Sequence, residues 1–193
     1  TLCLVAVNLF FTSAGGKQGA LMLSVNTLLM TMFTLFSYFM DGFAYAGEAL
    51  SGKLYGANDK VGFLKMVRSL FIFGGIMVVL FTSVYIFSGI NFLRLLTDAE
   101  DVVQASTPYL IWVYFIPLAG VSAFIYDGIF IGMTETKGML IPSAIAMACF
   151  FAFYYVGEPS LGNNALWIAF LLFLSFRGIL QFFWAKKSVF NRF

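Results

Sequence analysis

Residues 28–57 read LLMTMFTLFSYFMDGFAYAGEALSGKLYGA, an apolar run interrupted by two carboxylates, Asp41 and Glu48. They are seven residues apart, close to two turns of one α-helix, so both project from the same face. Tyr45 lies between them on that face. An ionisable side chain at membrane depth is costly to keep, and it marks a candidate functional site by default. The pattern predicts a binding or proton-relay surface in place of a lipid-facing one.

The rest of the chain sets the solvent. Hydrophobic residues make up 61% of the 193 positions, aromatic residues 19% and charged residues 10%. Soluble domains carry roughly 25% charged residues. With a mean hydropathy of +0.93, the composition predicts an all-α, polytopic transmembrane bundle. There is no histidine, which excludes imidazole acid–base chemistry and the commonest metal ligand. Cys3 and Cys149 both lie in apolar segments and read as packing residues, with no metal site and no disulfide expected. The net charge of +2 does not point to nucleic acid. Thr1 to Ala14 is too short to span and lacks a signal-peptide pattern. It reads as the tail of a helix whose beginning is missing, and the chain as a fragment.

Hydropathy predicts that partial helix at 1–14, then spans at about 20–50, 63–89, 105–131, 139–157 and 164–185. One end of the bundle receives Lys53, Lys60, Lys65, Arg68, Lys137, Lys186, Lys187 and Arg192, and the other only Lys17 and Arg94. The positive-inside bias makes the first end, and with it the C-terminus, cytoplasmic. Asp98, Glu100, Asp101 and Glu158 fall in the opposite loops.

Four ionisable residues lie at depth: Asp41, Glu48, Asp127 and Arg177. Asp127 admits two readings, a structural ion pair with Arg177 or a protonatable or cation-binding acid in a cavity. Glu48, near the cytoplasmic end, admits a helix-end salt bridge with Lys53 or another base, or a role as a water-exposed acid. Arg177, with Gln181 one turn on, reads as a structural counter-charge. Three acids facing one cavity would favour cations. Tyr38, Tyr45, Tyr114, Tyr126 and Phe130 offer cation–π surfaces. Asn8 and Asn26 suit interhelical hydrogen bonds. Pro117 is expected to free a carbonyl and kink its helix, and Gly128 and Gly132 form a GxxxG step for close packing or hinging.

A family resemblance rests on three stretches. GEALSGKLYGANDK (47–60) resembles the end of the second helix of each half of the multidrug and toxic compound extrusion (MATE) family, with a Gly-x-x-x-Gly-Ala step at Gly52, Gly56 and Ala57, expected to serve packing or hinging, and a short polar loop at Asn58 and Asp59. FIYDGIFIGMTETKGM (124–139), with Asp127, Gly128, Gly132, Thr134 and Thr136, resembles the end of a fourth helix, and MDGFAYAGEAL (40–50) resembles the DinF-like branch. The resemblance covers essentially the whole chain and implies the C-terminal lobe, one six-helix bundle of a twelve-helix, two-lobe transporter. It implies alternating access, with export of organic cations or toxic compounds in exchange for protons or sodium. It also implies a bacterial inner membrane, no cofactor beyond the coupling ion, and the N-terminal half as partner. The surviving part of the first helix offers Asn8 where sodium-linked members carry an acid. Two other readings remain: a lipid-linked oligosaccharide flippase, which should favour basic cavity residues, and an intramembrane aspartyl protease using Asp41 and Asp127, for which the GxGD step is absent. A non-transporting scaffold subunit is a further option.

Overall fold

The computed structural model describes residues 2–189; Arg192 of the charge count lies outside the described residues. The elements in order are α1 (Leu2–Lys17), α2 (Ala20–Gly56), α3 (Lys60–Leu96), α4 (Glu100–Ser106), a 3-10 turn (Thr107–Tyr109), α5 (Leu110–Gly132), α6 (Thr136–Leu161) and α7 (Asn163–Ser188). No strand occurs among the described residues, and five segments are long and apolar enough to cross a membrane. The protein is an all-α transmembrane bundle.

The helices overrun the hydropathy-based bounds because their end turns carry Lys, Arg and Glu that reach into water. α2 and α3 have 37 residues each. At 1.5 Å per residue that is about 55 Å, well beyond a hydrocarbon core of about 30 Å. The fourth predicted segment is divided. α4 begins at Glu100 and Asp101, Pro108 sits in the 3-10 turn, and the spanning helix α5 starts only at Leu110. Pro117 is buried inside α5, which continues through it as one helix. The carbonyl left open by the missing prolyl N–H is that of Val113; the adjacent Tyr114 carbonyl accepts a hydrogen bond from the Thr82 hydroxyl of α3 at 3.4 Å.

α5 is the central helix. It packs on α2, α3 and α7; α6 pairs with α7, and α1 lies against α2, α6 and α7. The α2–α5 contact is set by missing side chains. A Cβ on Gly128 would lie 2.1 Å from the carbonyl oxygen of Ala44, and one on Gly132 would lie 2.2 Å from that of Glu48. A Cβ on Gly52 would meet the Gly132 oxygen at 3.0 Å. Ser51 completes the seam, its hydroxyl shared between the carbonyls of Glu48 at 3.2 Å and Ile129 at 3.3 Å. Contacts advance along both helices together, from Phe36 at Gly120 to Ala44 at Gly128 and Ser51 at Gly132, so α2 and α5 run parallel. α5 and α7 are parallel by the same test, with Ser122 at Gly178 and Asp127 at Gln181. The alternating crossings expected from hydropathy follow.

One glycine departs from expectation. Gly56 has nothing within 4 Å of where a Cβ would stand, so it takes no part in the seam. The crossing lies nearer the middle of α2, where a Cβ on Gly47 would stand 3.7 Å from the Ile129 nitrogen and 3.3 Å from the Leu70 side chain of α3.

Both helix ends beside this seam turn in the same way. Asn58 (φ 53°) and Thr134 (φ 55°) take left-handed conformations. The next residues, Asp59 and Glu135, donate their N–H groups to the carbonyls of Leu54 at 3.0 Å and Phe130 at 2.8 Å. That six-to-one closure satisfies carbonyls that the helix end would leave open. Asp59 then caps α3 by accepting from the Gly62 N–H at 2.8 Å.

At the far end of the bundle, Asn26 of α2 and Asn163 of α7 exchange two amide hydrogen bonds of 2.8 and 2.9 Å, and the Trp167 Nε1–H donates to the Asn26 oxygen at 3.1 Å. Asn26 thus makes the interhelical bond its residue type suggested. The Asn8 amide oxygen, by contrast, is buried with no partner among the described residues.

The seam makes a direct prediction. Gly128→Val should destabilise the protein by more than about 3 kcal/mol, beyond the usual cost of overpacking, because the obstruction is backbone. Gly56→Ala should change stability by less than about 1 kcal/mol. Thermal melts of the detergent-purified variants, read by size-exclusion chromatography, check both.

Candidate functional site

Following α2 in alternating steps of three and four residues gives Ser24, Thr27, Thr31, Thr34, Tyr38, Asp41, Tyr45 and Glu48. Every position on this line carries a hydroxyl or a carboxylate. The opposite side of the helix holds Leu29, Met32, Phe36, Met40 and Gly47, all buried. The polar line is turned away from the bundle: Tyr38 is 70% exposed and Tyr45 69%, while Thr34, Asp41 and Glu48 are half-buried. A helix face bathed in hydrocarbon does not keep eight consecutive seam positions polar. A 3.5-residue repeat drifts by only about 20° per heptad on a straight helix, so the stripe stays on one side.

Its chemistry is directional. The hydroxyls of Ser24, Thr27, Thr31 and Thr34 donate to the carbonyls four residues earlier, at 3.1, 2.8, 3.0 and 2.9 Å. With the proton committed to the helix backbone, each oxygen presents lone pairs outward. Asp41 and Glu48 add acceptor-only carboxylates. Neither forms a side-chain hydrogen bond or ion pair among the described residues, so the Lys53 bridge expected for Glu48 is not made. Thr27, Thr31 and Thr34 also border a recess of about 240 Å³, closed on its other side by Phe11 and Thr12 of α1.

Asp127 is elsewhere. It projects from α5 toward α7, where its Oδ2 pairs with the Arg177 guanidinium and its Oδ1 accepts from the Gln181 Nε2 at 2.7 Å. Arg177 is 1% exposed and Asp127 15%. The i,i+4 spacing of Arg177 and Gln181 brings both donors to one carboxylate. A single cavity shared by Asp41, Glu48 and Asp127 is therefore not formed: two acids stand on the stripe, and the third is engaged inside the bundle. The aromatic residues divide as well. Tyr38 and Tyr45 are on the stripe, whereas Tyr126 and Phe130 stack on each other within the bundle, with centroids 5.9 Å apart. Among the described residues no group of three or more Cys, Asp or Glu side chains is placed to hold a metal ion.

The MatE family model matches residues 1–156. The chain belongs to the MatE family. It is also 40% identical over 178 residues to DNA damage-inducible protein F of Escherichia coli (strain K12), a match covering 92% of this chain and 38% of that protein. The chain thus spans well under half the length of this curated relative. Family and helices together make it a multi-pass membrane protein.

Within this MatE chain, reasoning from sequence found Asp41, Tyr45 and Glu48 but missed the line they belong to. The signal was present: the same steps of three and four continue from Asp41 back through Tyr38, Thr34, Thr31 and Thr27 to Ser24. Gly47 and Ser51 were missed because the GxxxG spacing draws attention to Gly52 and Gly56.

The Asp127–Arg177 pair gives a second prediction. Arg177→Met alone should cost about 3–5 kcal/mol by stranding a charge, whereas the double variant Asp127→Leu/Arg177→Met should recover most of that loss. Melting temperatures of the wild type, two single variants and the double variant complete the cycle.

Proposed function

We propose that this chain is the C-terminal lobe of a secondary transporter that exports organic cations or other toxic compounds in exchange for protons or sodium. The observation that supports the reading is the acceptor-lined stripe of α2. A wall of outward lone pairs and two free carboxylates suits cargo that brings positive charge or donor hydrogens, such as hydrated ions, protonated amines and hydronium. Such a wall facing lipid would be costly, so the reading also gives it a counterpart: the N-terminal six-helix lobe, with the stripe lining the space between. Asp41 and Glu48 are the exchange candidates in this scheme, and Tyr38 and Tyr45 supply aromatic faces for a cation. Asp127, held by Arg177 and Gln181, fixes α5 to α7 as a neutral unit. The setting is a bacterial inner membrane with the basic end cytoplasmic. The acidic stripe disfavours a phosphate-bearing lipid-linked sugar as cargo.

The test uses the intact protein in everted membrane vesicles, with a cationic dye as cargo. Asp41→Asn and Glu48→Gln should each slow gradient-driven efflux by about tenfold or more, equivalent to about 1.4 kcal/mol in the barrier, at unchanged expression. Thr31→Val should slow it by less. Wild-type efflux by both carboxylate variants would remove the stripe from the mechanism.

A further inference from the structure

The lobe has a second concavity, on the side away from the stripe. α3, α5 and α7 enclose a groove of about 860 Å³, within the range of small-molecule sites. Its α5 side is formed by Leu118, Ser122 and Tyr126. These stand two residues, or about 200° of rotation, from Gly120 and Gly128, which meet α2. The groove therefore opens roughly opposite the stripe. Phe71 of α3 and Phe182 of α7 form its walls, and no charged side chain lines it.

The charges stand just beyond one end. Stepping down the α3 wall from Phe71 through Val67 and Leu64 leads to Lys60, and the α7 wall leads from Ile179 through Phe182 to Lys186. Both lysines are exposed and neither makes an ion pair among the described residues. The nearby acids are engaged: Asp59 caps Gly62, and Glu135 accepts from the Trp184 indole N–H at 3.4 Å. An apolar slot at membrane depth, ending at two lysines on the faces of its own walls, matches a ligand with a hydrocarbon tail and an anionic head.

We propose that this groove holds an acyl chain of an anionic phospholipid from the leaflet at the basic end, with the phosphate lying between Lys60 and Lys186. Hydrocarbon fills the aromatic slot. The lysine stems lie along the apolar walls and carry their ammonium groups to headgroup level. Transport chemistry on α2 is not needed for this site, which sits on the other side of α5.

The test is native mass spectrometry of the intact protein released from nanodiscs of three parts phosphatidylcholine to one part phosphatidylglycerol. One phosphatidylglycerol should be retained in preference to phosphatidylcholine. Lys60→Gln/Lys186→Gln should reduce its retention by about fivefold per lysine removed. Ser175→Trp, which fills the groove from α7, should abolish it with both lysines present, and Thr31→Val on the stripe should leave it unchanged. Equal retention of the two lipids, or retention unaffected by both the lysine and the groove variants, overturns the proposal. So does displacement of the bound lipid by a cationic dye, which would make the groove a cargo site, or a second copy of the protein retained in its place.

Discussion

The backbone-to-backbone approach of α2 and α5 is the constraint on which the rest of the bundle depends. Where Gly128 faces Ala44 and Gly132 faces Glu48, there is no room for even a methyl group. In a bilayer no hydrophobic force drives helices together, so contact of this kind, with the Ser51 hydroxyl bridging the crossing, supplies the cohesion. It also fixes rotation. With Ala44, Gly47 and Ser51 against α5, Tyr45 is turned outward, and Asp41 and Glu48 are held half-buried at the edge of that contact. The glycines of α5 thus determine where the carboxylates of α2 are displayed.

From that crossing the bundle acquires two unlike sides. On one, hydroxyls and carboxylates stand in file along α2. On the other, aromatic rings of α3 and α7 enclose an uncharged groove. Between them lies the Asp127–Arg177–Gln181 cluster, joining α5 to α7 with no net charge. A buried pair of this kind adds little to stability against a well-packed apolar substitute, yet losing one partner is severe. It acts as a registration pin more than as a source of cohesion.

How much could be read from the sequence varied with the range of the interaction. The spans, their alternation and the short loops were legible because they depend on hydropathy and local charge. The interruption before α5 was not: the predicted span opens at 105, whereas α4 ends at Ser106, the chain turns at Thr107–Tyr109 and the spanning helix begins at Leu110. Asp127 and Arg177 were legible as a possible pair, but which reading held depended on the facing of α5 and α7, which is tertiary. The same limit explains Gly56: its spacing from Gly52 fits a packing step, but α5 ends at Gly132, which faces Gly52, and nothing stands against Gly56. The stripe was fully encoded, since each of its positions follows from helical geometry alone.

The direction of the threonine hydroxyls carries a consequence of its own. Their protons are already given to the preceding turn, so this wall can receive hydrogen bonds but has few to offer. A molecule sliding along it must arrive with its own hydrogens. An ether or a nitrile would find little more grip there than on a paraffin surface, whereas an ammonium group or a water molecule would find a rung at every turn.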